Sequence, residues 1–139
     1  MPMITLKLAH PQGEALAAEA AALASSLTAR FLGKDPRLTA VAVEIVPRER
    51  WFVAGQSLAA LGRASFFLEV RVTEGTNTKD QKEAYVSETF AAFGKLLGEL
   101  PTESYVYVID AGAEAYGYGG RTQERRYIEG HPLKPADRP

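Results

Sequence analysis

Pro2 stands directly behind Met1, at the head of the alternating stretch Met3-Ile4-Thr5-Leu6-Lys7-Leu8. A proline in second place permits removal of the initiator methionine. Pro2 would then carry a secondary amine at the end of a strand. An α-amino group titrates at about 7.7–8.0 in reference peptides. Desolvation or a neighbouring cation leaves such an amine largely neutral at pH 7. A neutral amine fixed in place serves as a general base or a nucleophile. The bland use of the same residue is a plain strand start.

The remaining candidates are cations and aromatic residues. Arg50, Arg71, Arg121, Arg125 and Arg126 are the arginines considered for holding a carboxylate; Arg71 also fits a mixed-charge sheet face, and Arg121, Arg125 and Arg126 a solvated arm. Trp51, Tyr116 and Tyr118 sit in glycine-ended segments and suit the wall of an apolar pocket or the packing of a turn. His10 and His131 are far apart and form no metal-ligand spacing, and there is no cysteine. No metal and no cofactor is expected. The glycines of Gly117-Tyr118-Gly119-Gly120 do not precede a helix in this reading, so no phosphate-binding loop is expected.

Composition narrows the class. The chain has 139 residues, 46% hydrophobic and 24% charged, with net charge −1. One domain, or two small fused units, suits that length. No basic field points to nucleic acid or an anionic membrane. No apolar run approaches the roughly 18 residues of a membrane span, and the start lacks the regions of a signal peptide. A cytoplasmic protein is expected.

The elements that must position these residues follow from periodicity. Ile4, Leu6 and Leu8 alternate with polar neighbours and predict a strand. Leu16, Ala20, Leu23, Leu27 and Phe31 predict a helix over 14–32, stopped by Gly33 and followed by Pro36. Residues 39–46 read as a strand, 56–64 as a connector, and 66–73 as a third strand. Thr78 and Gln81 have capping-box spacing before a second helix with Val86, Phe90, Phe93 and Leu97 as its apolar stripe. Residues 104–109 predict a fourth strand, 121–127 a short hairpin arm, and 132–139 a proline-rich tail.

The order strand–helix–strand–glycine segment occurs twice. Gly33 and Gly98, Pro36 and Pro101, Val41 and Val106, Trp51 and Tyr116, and Gly55 and Gly120 are each 65 residues apart. The leading strands match at 64, which puts Phe66 opposite Pro2 in the repeat. Two β-α-β units, about 2–60 and 66–125, imply parallel pairs with right-handed crossovers in one domain, with an arm and tail over 121–139. The expected fold is α+β: a four-stranded mixed sheet with two helices on one face. The uncovered face, with Thr5, Lys7, Glu69 and Arg71, is expected to meet other subunits.

Pro2 behind Met1, the segment from Val41 to Gly55, and its repeated end Tyr116-Gly117-Tyr118-Gly119-Gly120 together resemble the tautomerase superfamily. That group is built from the β-α-β unit of 4-oxalocrotonate tautomerase. The double-length form is similar to the fused members, which include malonate semialdehyde decarboxylase and cis-3-chloroacrylic acid dehalogenase. The resemblance implies a homotrimer with sheets around a central axis. It implies Pro2, freed of Met1, acting as base or acid on a small 2-oxo or unsaturated carboxylic acid. It implies Trp51 as the apolar wall that depresses the proline pKa. The chain departs from the pattern at Gln12, at Thr39 or Ala40, and at Thr76 and Asn77, where relatives carry arginines. Arg50, Arg71, Arg121 and Arg125 are the cations left for a carboxylate. Two other readings stand beside this one: a non-catalytic trimeric scaffold on the same fold, and a ferredoxin-like dimer dominated by antiparallel neighbours.

Overall fold

The computed structural model describes residues 2–132; Met1 and the tail 133–139 lie outside the described residues. The first half runs β1 (Met3–Ala9), α1 (Gly13–Leu32), β2 (Ala40–Ile45), β3 (Phe52–Val53), β4 (Gln56–Ser57) and α2 (Leu58–Leu61). The second runs β5 (Ser65–Thr73), α3 (Lys79–Leu97), β6 (Tyr105–Ala111), β7 (Gly117–Tyr118), β8 (Arg121–Thr122) and α4 (Gln123–Gly130).

The main sheet has the order β2-β1-β5-β6. The pairs β1–β2 and β5–β6 are parallel, and the joint β1–β5 is antiparallel. One antiparallel joint between two parallel pairs removes the ferredoxin-like reading. Thr5 lies directly across from Glu69, its own counterpart in the repeat. An internal two-fold axis therefore passes between these two residues and relates the halves.

Strand parity sets the core. Ile4, Leu6, Leu8, Phe66, Leu68, Val70 and Val72 point to one face and are buried. They meet Ala20, Ala24 and Leu27 of α1 and Tyr85, Phe93 and Leu97 of α3. Each buried aliphatic side chain contributes about 1.5–3 kcal/mol. Phe66 stacks on Phe93 with ring centroids 4.5 Å apart. α1 ends at Gly33, whose φ of 67° suits glycine. At the start of α3 both capping-box bonds form: Gln81 N–H donates to Thr78 Oγ1 (3.1 Å), and Thr78 N–H donates to Gln81 Oε1 (2.9 Å). By length and mean hydropathy (1.2), α1 is apolar enough to cross a membrane, contrary to the reading of the runs; here its apolar stripe packs on the sheet.

Other expectations shift. Residues 56–64 hold β4 and α2. Ser57 caps α2 by accepting the N–H of Ala60 at 3.1 Å, and Gly62 stops it at φ 65°. One helical turn is too short to show a period. Of the arm, only Arg121 and Thr122 pair in a hairpin; the rest is α4, capped by Thr122, which accepts the N–H of Arg125 at 3.1 Å. A helix thus does follow the glycines of 117–120, separated from them by β8. The stripe of α3 runs through Tyr85, Thr89, Phe93 and Leu97, while Val86 is exposed. Tyr85 and Thr89 are polar-tipped, which hides them in a count of apolar residues.

The face of the sheet away from the helices carries Met3, Thr5, Lys7, Glu69, Arg71, Tyr105 and Tyr107. Among the described residues no element covers it. Met3, Tyr105 and Tyr107 are exposed there, and Arg71 Nε meets Glu69 Oε1 at 3.1 Å.

Candidate active site

β1 fixes Pro2 at the edge of the core. The Pro2 carbonyl accepts the N–H of Ala40 at 3.0 Å, which extends the β1–β2 ladder by one bond. The Pro2 ring is fully buried. It forms part of a cavity of about 540 Å³. Met3, Leu38 and Ala40 line one side; Ala111, Ala115, Tyr116, Gly117 and Tyr118 line the other; Arg71, near the end of the interior strand β5, completes the lining.

Each wall has a local cause. Leu38 ends a turn of 3-10 helix, Pro36–Leu38, whose first N–H groups are met by Asp35: Arg37 N–H donates to Asp35 Oδ1 at 2.9 Å. The Arg37 guanidinium bonded to Asp35 holds that carboxyl below its ordinary range. Tyr116 follows β6, and its phenol shares a short hydrogen bond with Thr73 Oγ1 at the end of β5. Gly117 belongs to the hairpin, where a Cβ would run into the carbonyl of Arg121; only glycine fits that approach. The Tyr118 ring lies under the Arg126 guanidinium, 4.0 Å from the ring centroid. Arg126 Nη2 also donates to the Tyr118 carbonyl at 2.9 Å. Arg126 therefore holds a wall of the cavity.

Arg71 is the cation of this cavity. In the β1–β5 ladder it sits across from Met3, one residue from Pro2. Its Nε donates to Glu69, leaving the terminal nitrogens of the fork without a partner among the described residues. The mixed-charge face and the cavity thus share this residue. The arrangement is an apolar pocket with one guanidinium and two phenol-bearing rings. It has the shape and chemistry to receive a small acid with an apolar body.

The other sequence candidates lie elsewhere. Trp51 and Arg50 line a separate cavity with Lys7, Val46, Phe52 and Phe67, at the opposite end of the sheet. Antiparallel joining of the halves is the reason. The end of β2 lies beside the end of β1, and that end faces the head of β5. Each aromatic turn therefore serves the other half's leading strand, so Pro2 has Tyr116 in its cavity where Trp51 was expected. Arg121 and Arg125 are both held by Glu129 of α4, at 3.1 Å and 2.9 Å. The Arg125 hydrogen bond holds the Glu129 carboxyl below its ordinary range. These two arginines line surface pockets beside the hairpin and not the Pro2 cavity. His10 Nδ1 accepts the Gln12 N–H at 2.9 Å, fixing the turn after β1. Thr76 accepts from Lys34 Nζ at 2.8 Å, and Asn77 Nδ2 donates to the Leu32 carbonyl at 2.9 Å. Thr73 and Leu38 escaped the sequence reading. Thr73 meets Tyr116 across 43 residues, and no local pattern announces that pair.

No protein-family model matches the sequence, and no curated protein does. Solved structures do match the fold. A native fused 4-OT superposes with a TM-score of 0.76 at 20% identity, over 88% of this chain and 97% of that chain. Pt0534 inactivated by 2-oxo-3-pentynoate gives 0.74 at 17% identity, over 89% and 98%. A wild-type fused 4-OT asymmetric trimer gives 0.73 at 19% identity, over 88% and 98%. The chain has the fused double β-α-β fold of these structures.

Proposed function

We propose that this chain, built on the fold of the fused 4-OT structures, is a tautomerase-like enzyme acting on a small 2-oxo or unsaturated carboxylic acid. After loss of Met1, the Pro2 amine takes the proton from the enol hydroxyl of a 2-hydroxy-alkenoic acid and returns it to C3. The enol becomes the 2-oxo acid, and no group enters or leaves. Apolar walls and the Arg71 charge both disfavour a protonated amine, which keeps a base available near pH 7. Arg71 holds the substrate carboxylate, and Tyr116 and Tyr118 flank the carbon body. A trimeric arrangement, as in the fused 4-OT trimer to which the fold is similar, would cover the exposed sheet face.

The observation that carries this reading is the buried Pro2 ring in a mostly apolar cavity with Arg71 on the adjoining strand. Two measurements test it. Intact mass of the protein from its native host should show a chain lacking Met1. Ketonisation of enol-phenylpyruvate should then fall by about 10²-fold or more in Pro2→Ala, in line with the loss of a positioned base. An unchanged rate in Pro2→Ala, or a retained Met1, sinks the proposal.

A scaffold without catalysis is the second reading. It is favoured by one observation: among the described residues the cavity holds a single cation. It predicts no Pro2-dependent turnover, so the same rate comparison decides between the two.

A further inference from the structure

The internal two-fold axis carries the Pro2 cavity onto the cavity at the other end of the sheet. At the offset of the leading strands, Pro2 maps to Phe66, Met3 to Phe67, and Arg71 to Lys7. At the offset of the turns, Ala115 maps to Arg50 and Tyr116 to Trp51. Of these, Lys7, Arg50, Trp51 and Phe67 line one cavity of about 320 Å³. The two cavities are therefore the same place in the two halves, furnished differently.

The differences have chemical meaning. Phe66 replaces the proline, and its ring is buried against Phe93, so this cavity has no chain-terminal amine. The cations increase in number. Lys7 replaces Arg71, and Arg50 stands where the first cavity has an alanine. Among the described residues the Arg50 side chain has no ion pair or hydrogen bond. Among the described residues Lys7 has Glu44 as its one ion-pair partner, at 4.0 Å, and its ammonium sits 5.8 Å from the Phe67 centroid. Two cations beside an indole and a phenyl ring form a receptor for a small anion with an apolar body.

We propose that the cavity bounded by Lys7, Arg50, Trp51 and Phe67 is a second, non-catalytic site that binds a small monocarboxylate with an apolar body. The proposal does not rest on Pro2 carrying an amine, so it can fail or succeed independently of the activity proposed above.

Trp51 is the single tryptophan of the chain, so indole fluorescence reports on this cavity and not on the one beside Tyr116. The full chain is titrated at low ionic strength with cyclohexanecarboxylate, which does not absorb in the tryptophan band. A saturable change in Trp51 emission is expected, with little response to the neutral cyclohexylmethanol. Lys7→Gln and Arg50→Gln should each raise the dissociation constant about tenfold, the size of a lost charge-assisted hydrogen bond. Tyr116→Ala, in the other cavity, should leave it unchanged. Added salt should weaken binding of the acid. An absent or non-saturating response overturns the proposal. So does an equal response to the alcohol, or an unchanged constant in both glutamine variants. Both variants alter exposed head groups, and the neutral alcohol control requires no variant at all.

Discussion

Trp51 and Tyr116 occupy equivalent places in the two repeats, yet only Tyr116 shares a cavity with Pro2. The antiparallel joint between β1 and β5 delivers each aromatic turn to the opposite half. Turnover at Pro2 should therefore be sensitive to Tyr116 and much less so to Trp51. Tyr116→Ala is expected to lower kcat/KM about tenfold, by removing a wall and its bond to Thr73. Trp51→Ala should have a clearly smaller effect. Steady-state kinetics on enol-phenylpyruvate measures both, and the reverse order would remove Tyr116 from the site.

Arg71 has two tasks that one substitution separates. Its Nε pairs with Glu69, and the residue also lines the Pro2 cavity. Its side chain is 65% exposed, so the pair with Glu69 contributes little to stability. Arg71→Gln should leave the urea midpoint nearly unchanged and raise KM for a carboxylate substrate about tenfold. A normal KM would assign the carboxylate to another cation.

Tyr85 gives the protein an alkaline limit. Its side chain is fully buried, and its phenol lies 2.9 Å from Thr28 Oγ1. Burial pushes the Tyr85 phenol up to about 12. The unfolded phenol ionises near 10. Between those values the unfolded chain releases a proton that the folded chain keeps, so stability is full below pH 10 and falls as pH rises towards 12. The loss is on the order of 2–3 kcal/mol. Tyr85→Phe should remove this part of the alkaline decline, at a cost of about 1 kcal/mol at neutral pH for the lost hydrogen bond. Denaturant unfolding of both proteins at pH 7 and pH 11 makes the comparison; parallel declines would contradict it.

The uncovered sheet face is the surface on which the proposed assembly is tested. Tyr105 and Tyr107 stand exposed beside Met3, Thr5, Glu69 and Arg71. The proposed trimeric arrangement would bury this face against two neighbours and give a particle of three times the 15.1 kDa chain mass. Light scattering on the eluted protein should show that mass for the wild type and a smaller one for Tyr107→Glu. A wild-type monomer at micromolar concentration would refute the trimer.

Much of the fold was legible in the residues. Strand alternation at Ile4, Leu6, Leu8 and at Phe66, Leu68, Val70 identifies a buried face, because side chains in a strand alternate strictly. Gly33, Thr78 and Gln81 mark helix ends by local hydrogen bonding and backbone freedom. The repeat also extends further than its landmarks. Ala54 and Gly55 match Gly119 and Gly120, and all four have positive φ in hairpin turns. What stayed hidden were short or polar-tipped features: the single turn of α2, the helix α4, and the hydroxyl-bearing stripe of α3.

The chain by itself determined the two matched halves and the face each strand buries. Those properties are local, set by side-chain type and by periods of two and 3.6 residues. Which cavity each aromatic turn enters was decided only by tertiary structure. The relative direction of β1 and β5 is a long-range choice, made where two hydrophobic faces meet under the helices. That choice put Tyr116 and Arg71 beside Pro2, and sent Trp51 and Arg50 to Lys7 and Phe67.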